Sequence, residues 1–133
     1  MKNRPMLTLD DCRRISEAAE AEARKNKWNV CIAILDDGGH LLHLARMDGA
    51  SPANARIAIE KGRTAAESRR STAAWQERIK ARPELLRMPG ITPIQGGLPI
   101  VVEGTCIGAV GISGVQSHED EQIAKAGIDA LGS

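Results

Sequence analysis

Two pairs of short strand-like runs most constrain what this chain of 133 residues can fold into. Each run is rich in branched apolar residues, and each pair is joined by a turn that contains glycine, which is the pattern of a β-hairpin. Pro99 places the third run near an edge of the sheet, because proline donates no hydrogen bond to a neighbouring strand. The first pair spans residues 29–35 and 40–46, and the second pair spans residues 98–102 and 105–113.

Apolar residues at helical spacing occupy most of the remaining chain. Because the helical patterns separate the two hairpins, the sequence predicts a single α+β domain over residues 1–133, with helices packed on a mostly antiparallel sheet. The predicted helices cover residues 9–25 and 53–69, a shorter segment that begins after Ser71 or Thr72, and a last segment from Ser117 towards Gly132.

Three polar residues are suited to cap these helices. Thr8 followed by Asp11, and Ser117 followed by Asp120, have the spacing of capping boxes. Ser51 precedes a proline, which is favoured in a first helical turn. We therefore expect three helix starts to be defined by local hydrogen bonds.

The scarcity of aromatic residues determines the kind of core and argues against one class of partner. The chain has two Trp residues and neither Phe nor Tyr, so the core must be built from smaller aliphatic side chains. Such a core buries less area per side chain, which favours further burial between subunits of a homo-oligomer. The missing aromatic platforms and a net charge of +1 argue against binding to nucleic acid or to an anionic membrane.

The cysteines and the first residues indicate a cytoplasmic protein. Cys12, Cys31 and Cys106 are odd in number and widely spaced, which is not the pattern of a disulfide framework. The last two fall in predicted strands, where we expect inert core thiols. The first residues have no apolar signal core, and no apolar run approaches the roughly 20 residues of a membrane span.

Familiar catalytic and nucleotide-binding motifs are absent from the glycine-rich strand. The stretch from Gly111 to Val115 lacks the second glycine of a nucleophile elbow, so a serine hydrolase is not supported. Gly108, Gly111 and Gly114 match neither a dinucleotide fingerprint nor a phosphate loop. No zinc site is predicted either, because alternation along a strand sends His40 and His43 to opposite faces.

Glycines beside polar residues suggest a ligand pocket instead. Glycines in strands often mark the close approach of a ligand or of another backbone, and a helix N-terminus offers free amides to an anion. We expect a pocket where these glycines meet the start of the last helix, with Arg46 or Lys61 as the cation and Met47 as an apolar wall. Close packing between helix and sheet, or between subunits, is the alternative. The pocket residues are Gly96, Gly97, Ser113 and Gly114.

Several segments, taken together and in order, resemble the GlcG/HbpS family, which also forms the C-terminal domain of PduO-type proteins. The resemblance covers nearly the whole chain. It implies a five-stranded antiparallel sheet flanked by helices, assembly into tetramers to octamers, and binding of haem or a corrinoid in several members. The segments are Asp36-Asp37-Gly38-Gly39-His40-Leu41, Arg46-Met47-Asp48-Gly49-Ala50, Lys61 with Thr64-Ala65-Ala66, Gly96-Gly97-Leu98-Pro99-Ile100, and Gly108 to Gly114 followed by Asp120-Glu121.

Two functions follow from this resemblance. The first is binding of haem or a related anionic tetrapyrrole, with His40 as the first candidate for the iron ligand, His43 as the second and Met47 as a weaker one.

The second is a cofactor-independent enzyme, a tautomerase, isomerase or hydrolytic deaminase, that acts on a small unsaturated oxo or amino acid in a catabolic pathway. Arg46 would stabilise the developing negative charge, and His40 or His118 would move the proton. Glu119 or Asp120 could also move the proton, although both are suited to helix capping.

Overall fold

Helices and strands follow one another in the predicted order. The computed structural model describes residues 1–132, and within them no helix combines the length and apolar character needed to cross a bilayer. Two short 3₁₀ segments, Pro83–Arg87 and Ala130–Gly132, follow the third and fourth helices. The elements are α1 (Leu9–Lys25), β1 (Cys31–Asp36), β2 (Leu41–Arg46), α2 (Ala53–Ser68), α3 (Thr72–Ala81), β3 (Gly97–Val102), β4 (Thr105–Ser113) and α4 (Ser117–Asp129).

The strands form one antiparallel sheet with the order β2-β1-β4-β3. This confirms the α+β class, the two hairpins and the edge position of the strand that contains Pro99. The five-strand count implied by the resemblance is wrong, because the sheet formed by residues 1–132 has four strands. The two hairpins account for all four, since neither residues 1–8 nor the segment 88–96, with its prolines and glycines, joins the ladder.

Two of the predicted helix starts differ from the structure. Thr8 and Asp11 form the expected capping box of α1, with the Asp11 amide donating to Thr8 Oγ1 at 3.1 Å. In α4, however, the capping box uses Gln116 and Glu119, so the prediction of Ser117 with Asp120 is wrong. Asp120 does not take part in a capping box because its side chain points into the protein interior. Ser51 does not cap α2 either, since that helix has Pro52 at its N-cap and no side-chain cap.

The two faces of the sheet are covered differently. Helices α1 and α4 cover one face with the larger aliphatic cluster, which includes Ile15, Ile32 and Ile123. Helix α2 covers the other face, where most of the buried residues are small and Leu35 is the largest buried residue of its cluster. An ideal Cβ on Gly111 of β4 would lie 2.5 Å from the Gly62 amide nitrogen and would overlap the Ala58 carbonyl oxygen. These two glycines therefore allow α2 to lie directly against β4.

Candidate functional site

The predicted site residues are divided between two ends of the sheet. At one end Cys31 faces Arg46 on β2 and Ser113 on β4. At the other end, five residues along β1, the Asp36 amide donates to the His40 carbonyl. At about 3.3 Å per residue the two ends are about 17 Å apart. His40 therefore cannot share one small-molecule site with Arg46.

At the first end, the predicted pocket segments do come together, but a lysine fills the space between them. Lys61 Nζ donates to Asp120 Oδ2 and to the Ile112 carbonyl oxygen, each at 3.0 Å. An ideal Cβ on Gly96 would lie 2.7 Å from Nζ. The glycine at this position therefore makes room for the lysine, and Gly97 in turn lies against the Lys61 backbone and Thr72.

Lys61 and Asp120 form an almost completely buried ion pair. Their side chains are 3% and 2% exposed, and Asp120 Oδ1 also accepts a hydrogen bond from the Val115 amide at 3.1 Å. Burial raises the pKa of the Asp120 carboxyl, and the adjacent ammonium group offsets this only in part. Both charges have partners inside the protein. Lys61 is thus occupied structurally rather than open to an anionic ligand, and Asp120 is not a helix cap.

The remaining predicted residues at this end have separate surroundings. Arg46 is exposed, and its Nε donates to the Ala50 carbonyl oxygen at 3.3 Å. Ser113 donates to Asn54 Oδ1 at 2.8 Å, which links β4 to α2. Met47 is buried in the main core rather than in a pocket wall. His118 is exposed on the first turn of α4.

At the other end, the turn between β1 and β2 holds a histidine in one orientation. Asp36 Oδ1 accepts hydrogen bonds from the amides of Gly38 and His40, both at 2.9 Å, and lies 3.2 Å from His40 Nδ1. A carboxylate only accepts, so Nδ1 carries the proton, and in the neutral ring Nε2 presents its lone pair. The His40 side chain is 81% exposed. The ring is therefore oriented, and its second nitrogen is free to bind a metal.

The electrostatics of the turn favour a charged aspartate. Partial burial opposes ionisation of Asp36, but the hydrogen bonds from the His40 and Gly38 amides and the nearby ring outweigh it. The pKa of the Asp36 carboxyl is consequently below its usual value. An ionised Asp36 strengthens the hold on the Nδ1 proton and makes Nε2 a better ligand.

Several charged side chains surround this turn. Arg69 donates to the carbonyl oxygens of Asp37 and Ala66, and within residues 1–132 it forms no ion pair with a carboxylate. Arg4 pairs with the Asp37 carboxylate. On α2, Arg63 pairs with Glu60, and the side chains of Arg63 and Glu67 both pack against Gly39. Arg63, Glu67 and Arg69 reach this turn because α2 packs against the hairpin, whereas the Arg63–Glu60 pair itself is a local contact within α2.

Three exposed leucines follow His40 along β2. Leu41, Leu42 and Leu44 are 46%, 38% and 38% exposed. The register places Leu41 opposite Leu35 and Leu44 opposite Ala33, whose side chains pack against α2. Helix α2 lies mainly over β1 and β4, so the leucines extend beyond its edge. Leu41 and Leu44 therefore form an uncovered apolar strip on the α2 side of the sheet, while Leu42 lies at the shift in register between β1 and β2.

His43, the second candidate for an iron ligand, lies on the face of the sheet opposite to Leu41 and Leu44. It faces Ile34, a residue of the core that packs against α1. There it lines a shallow hollow of about 310 Å³ together with Ala45 and residues of α1 that include Ser16 and Glu17. The β1–β2 register shifts between the two histidines, so the alternation used in the sequence analysis does not hold along this strand. Within residues 1–132, no three His, Cys, Asp or Glu side chains are arranged to hold a metal ion.

Comparisons with known proteins agree on one family. The family model described as "Haem degrading protein HbpS-like" matches residues 7–129. Protein GlcG of Escherichia coli K12 is 46% identical over 114 residues, which cover 85% of each chain. A crystal structure of an HbpS double mutant from Streptomyces reticuli superposes with a TM-score of 0.92 at 30% identity, and the match covers 100% of this chain and 92% of that one. The PduOC:Heme complex has the same fold, with a TM-score of 0.87 at 24% identity and 95% of each chain covered.

Proposed function

The chain belongs to the HbpS-like family, and we propose that it binds haem or a related anionic tetrapyrrole at the turn between β1 and β2, with His40 as the iron ligand. The observation that carries this proposal is the Asp36–His40 pair. The family description names haem, and PduOC forms a haem complex on the same fold. Both support a tetrapyrrole as the ligand.

The donor chemistry of the turn fits an axial position on haem. Haem iron is held by four porphyrin nitrogens and needs only one or two protein ligands, of which histidine is a common one. His40 offers Nε2 while Asp36 holds Nδ1, an arrangement that fixes the ring and raises its basicity. When bound, the haem would supply iron chemistry, and this chain would supply the ligand and its orientation.

The surroundings of His40 fit the rest of a haem molecule. The porphyrin ring has a broad apolar face, and the exposed leucines that follow His40 along β2 offer apolar surface near the turn. The propionates are anionic. Arg69 is suited to receive one of them, since the partners it has among residues 1–132 are carbonyl oxygens.

Titration of the purified protein with haemin tests the proposal. We expect a saturable, shifted Soret band that survives competition from serum albumin. His40→Ala should abolish the shift, and Asp36→Asn should weaken binding while leaving His40 in place. His43→Ala and His118→Ala are matched controls that remove an imidazole elsewhere.

Two outcomes would contradict the proposal. A flat titration of the wild-type protein would exclude tetrapyrrole binding. A His40→Ala variant that binds as tightly as the wild type would exclude His40 as the ligand.

We further propose a cytoplasmic homo-oligomer, of four to eight chains, that serves a catabolic pathway. The thiols of Cys12, Cys31 and Cys106 are all free, which suits a reducing compartment. The apolar strip on β2 gives the chain a reason to associate. Light scattering at micromolar concentration tests the assembly, and a stable monomer would contradict it.

A further inference from the structure

We propose that a small hollow beside Trp75, the Trp75 hollow, binds a protonated aliphatic amine, with Glu67 as the anionic partner of the ammonium group. The hollow has a volume of about 210 Å³ and lies where α2, α3 and the segment 88–91 meet. It uses neither His40 nor Arg69, so the inference goes beyond the haem proposal and does not depend on it.

Hydrogen bonds between three segments hold the walls of the Trp75 hollow in place. Trp75 Nε1 donates to Ser68 Oγ at 2.8 Å, which ties α3 to α2. The Thr92 amide donates to Thr64 Oγ1 at 3.0 Å, which ties the end of the segment 88–91 to the same helix. The hollow is therefore formed before any ligand arrives, as ligand sites usually are.

The side-chain donors in the lining are all used within the protein. Trp75 donates to Ser68, and Ser68 Oγ in turn donates to the Thr64 carbonyl oxygen at 2.6 Å. Thr64 Oγ1 donates to the Glu60 carbonyl oxygen at 2.8 Å. The polar side chains of the lining thus offer a ligand acceptors, above all the carboxylate of Glu67. A ligand that fits them has to bring the donors.

The carboxylate of Glu67 has neither an ion pair nor a hydrogen bond within residues 1–132. Its Oε1 lies against Gly39, and its Oε2 is on the side of Gly90, where an ideal Cβ would lie 3.8 Å from it. Arg63 also packs against Gly39, but it pairs with Glu60 instead. A protonated amine in the Trp75 hollow would supply the missing positive charge.

The rest of the lining determines the body of the amine. Trp75, Met88, Pro89 and Ile91 contribute apolar surface, which favours an alkyl chain. The volume is below the about 300–1,000 Å³ of pockets for drug-sized ligands, so the chain has to be short. The lining includes no Lys or Arg side chain from residues 1–132, so the carboxylate of an amino acid would find no cation there. The structure therefore favours a simple amine over an amino acid.

Titration with n-butylamine at neutral pH, where the amine is protonated, tests the proposal by nuclear magnetic resonance. The indole N–H of Trp75 reports from the wall of the hollow, and that of Trp28, which packs against the main core, is an internal reference. We expect the Trp75 signal to shift saturably while the Trp28 signal stays, with sodium chloride at the same concentration as the control for ionic strength.

A neutral ligand of the same length separates charge recognition from apolar binding. 1-Butanol should bind roughly fivefold more weakly than butylamine, which is the upper end of what an exposed ion pair contributes. No saturable shift with butylamine, or equal affinities for the two ligands, would overturn the proposal.

Substitutions separate the carboxylate from the apolar wall. Glu67→Gln keeps the shape and removes the charge, so it should weaken butylamine binding roughly fivefold and leave 1-butanol binding unchanged. Glu77→Gln, at an exposed glutamate of α3 outside the lining, is the matched control. Met88→Ala should weaken binding of both ligands, whereas Met6→Ala, at another exposed methionine, should weaken neither. A Glu67→Gln protein that binds butylamine as tightly as the wild type would overturn the proposal.

Discussion

Replacing Lys61 with methionine should destabilise the protein severely without changing its volume much. The substitution removes the ammonium group that donates to Asp120 and to the Ile112 carbonyl oxygen, and it leaves the carboxylate of Asp120 buried. Only the hydrogen bond from the Val115 amide then remains to that carboxylate. Because both side chains are at most 3% exposed, water cannot replace the lost partner.

The magnitude follows from the burial of the pair. Removing one member of a buried ion pair costs about 3–5 kcal/mol, because an uncompensated charge is left in the interior. An exposed ion pair serves as the control for this cost. Lys80 and Glu77 lie 2.7 Å apart with side chains 66% and 67% exposed, so Lys80→Met should change the stability by less than about 0.5 kcal/mol.

Urea unfolding at a fixed protein concentration measures these differences. The Lys61→Met/Asp120→Asn double variant removes both charges, so its destabilisation should be smaller than the sum of the two single effects by about 2 kcal/mol. If Lys61→Met costs less than about 1 kcal/mol, or if the double variant is additive, the pair does not behave as a buried charge pair.

The pH dependence of Lys61→Met gives a second check. Burial already raises the pKa of Asp120, and loss of the ammonium group should raise it further. A carboxyl group whose pKa is higher in the folded than in the unfolded state lowers the stability of the protein when it is ionised. Its cost is absent below the unfolded pKa, grows as the pH rises from the unfolded to the folded pKa, and is constant above the folded pKa. The destabilisation should therefore be largest at neutral pH and smaller in acid, and a destabilisation that is equal at both would refute this reasoning.

Two further predictions concern packing and helix capping. In thermal unfolding, Gly111→Ala should destabilise the protein by about 3 kcal/mol or more, because the new methyl group would push α2 off the sheet. Gly132→Ala is the control: its methyl group would meet nothing within 4 Å, and we expect no change in stability. Thr8→Ala should cost about 1 kcal/mol in urea unfolding because it removes the cap of α1, whereas Ser117→Ala should cost much less, since α4 is capped by its neighbour. Equal effects at the two glycines, or a larger effect at Ser117 than at Thr8, would contradict these assignments.

Local hydrogen bonds and local apolar spacing made a large part of the fold predictable from the sequence. The bounds of α1 and β4 and the capping box of α1 were predicted correctly, because the groups that define them are close in the chain. The turn between β1 and β2 was also recognised, since its aspartates and glycines determine its conformation within a few residues. His40 was singled out from this turn as the first ligand candidate.

Interactions between distant residues were decided only by the tertiary structure. Lys61 and Asp120 are 59 positions apart, and they pair because α2 and α4 pack against the end of the same strand. That pairing draws Asp120 inward and leaves the α4 cap to Gln116 and Glu119. The meeting of Arg69 with the β1–β2 turn, across 32 positions, has the same origin. Burial is a property of the packed chain, so a local pattern shows which side chains can carry charge but not which of them lose contact with water.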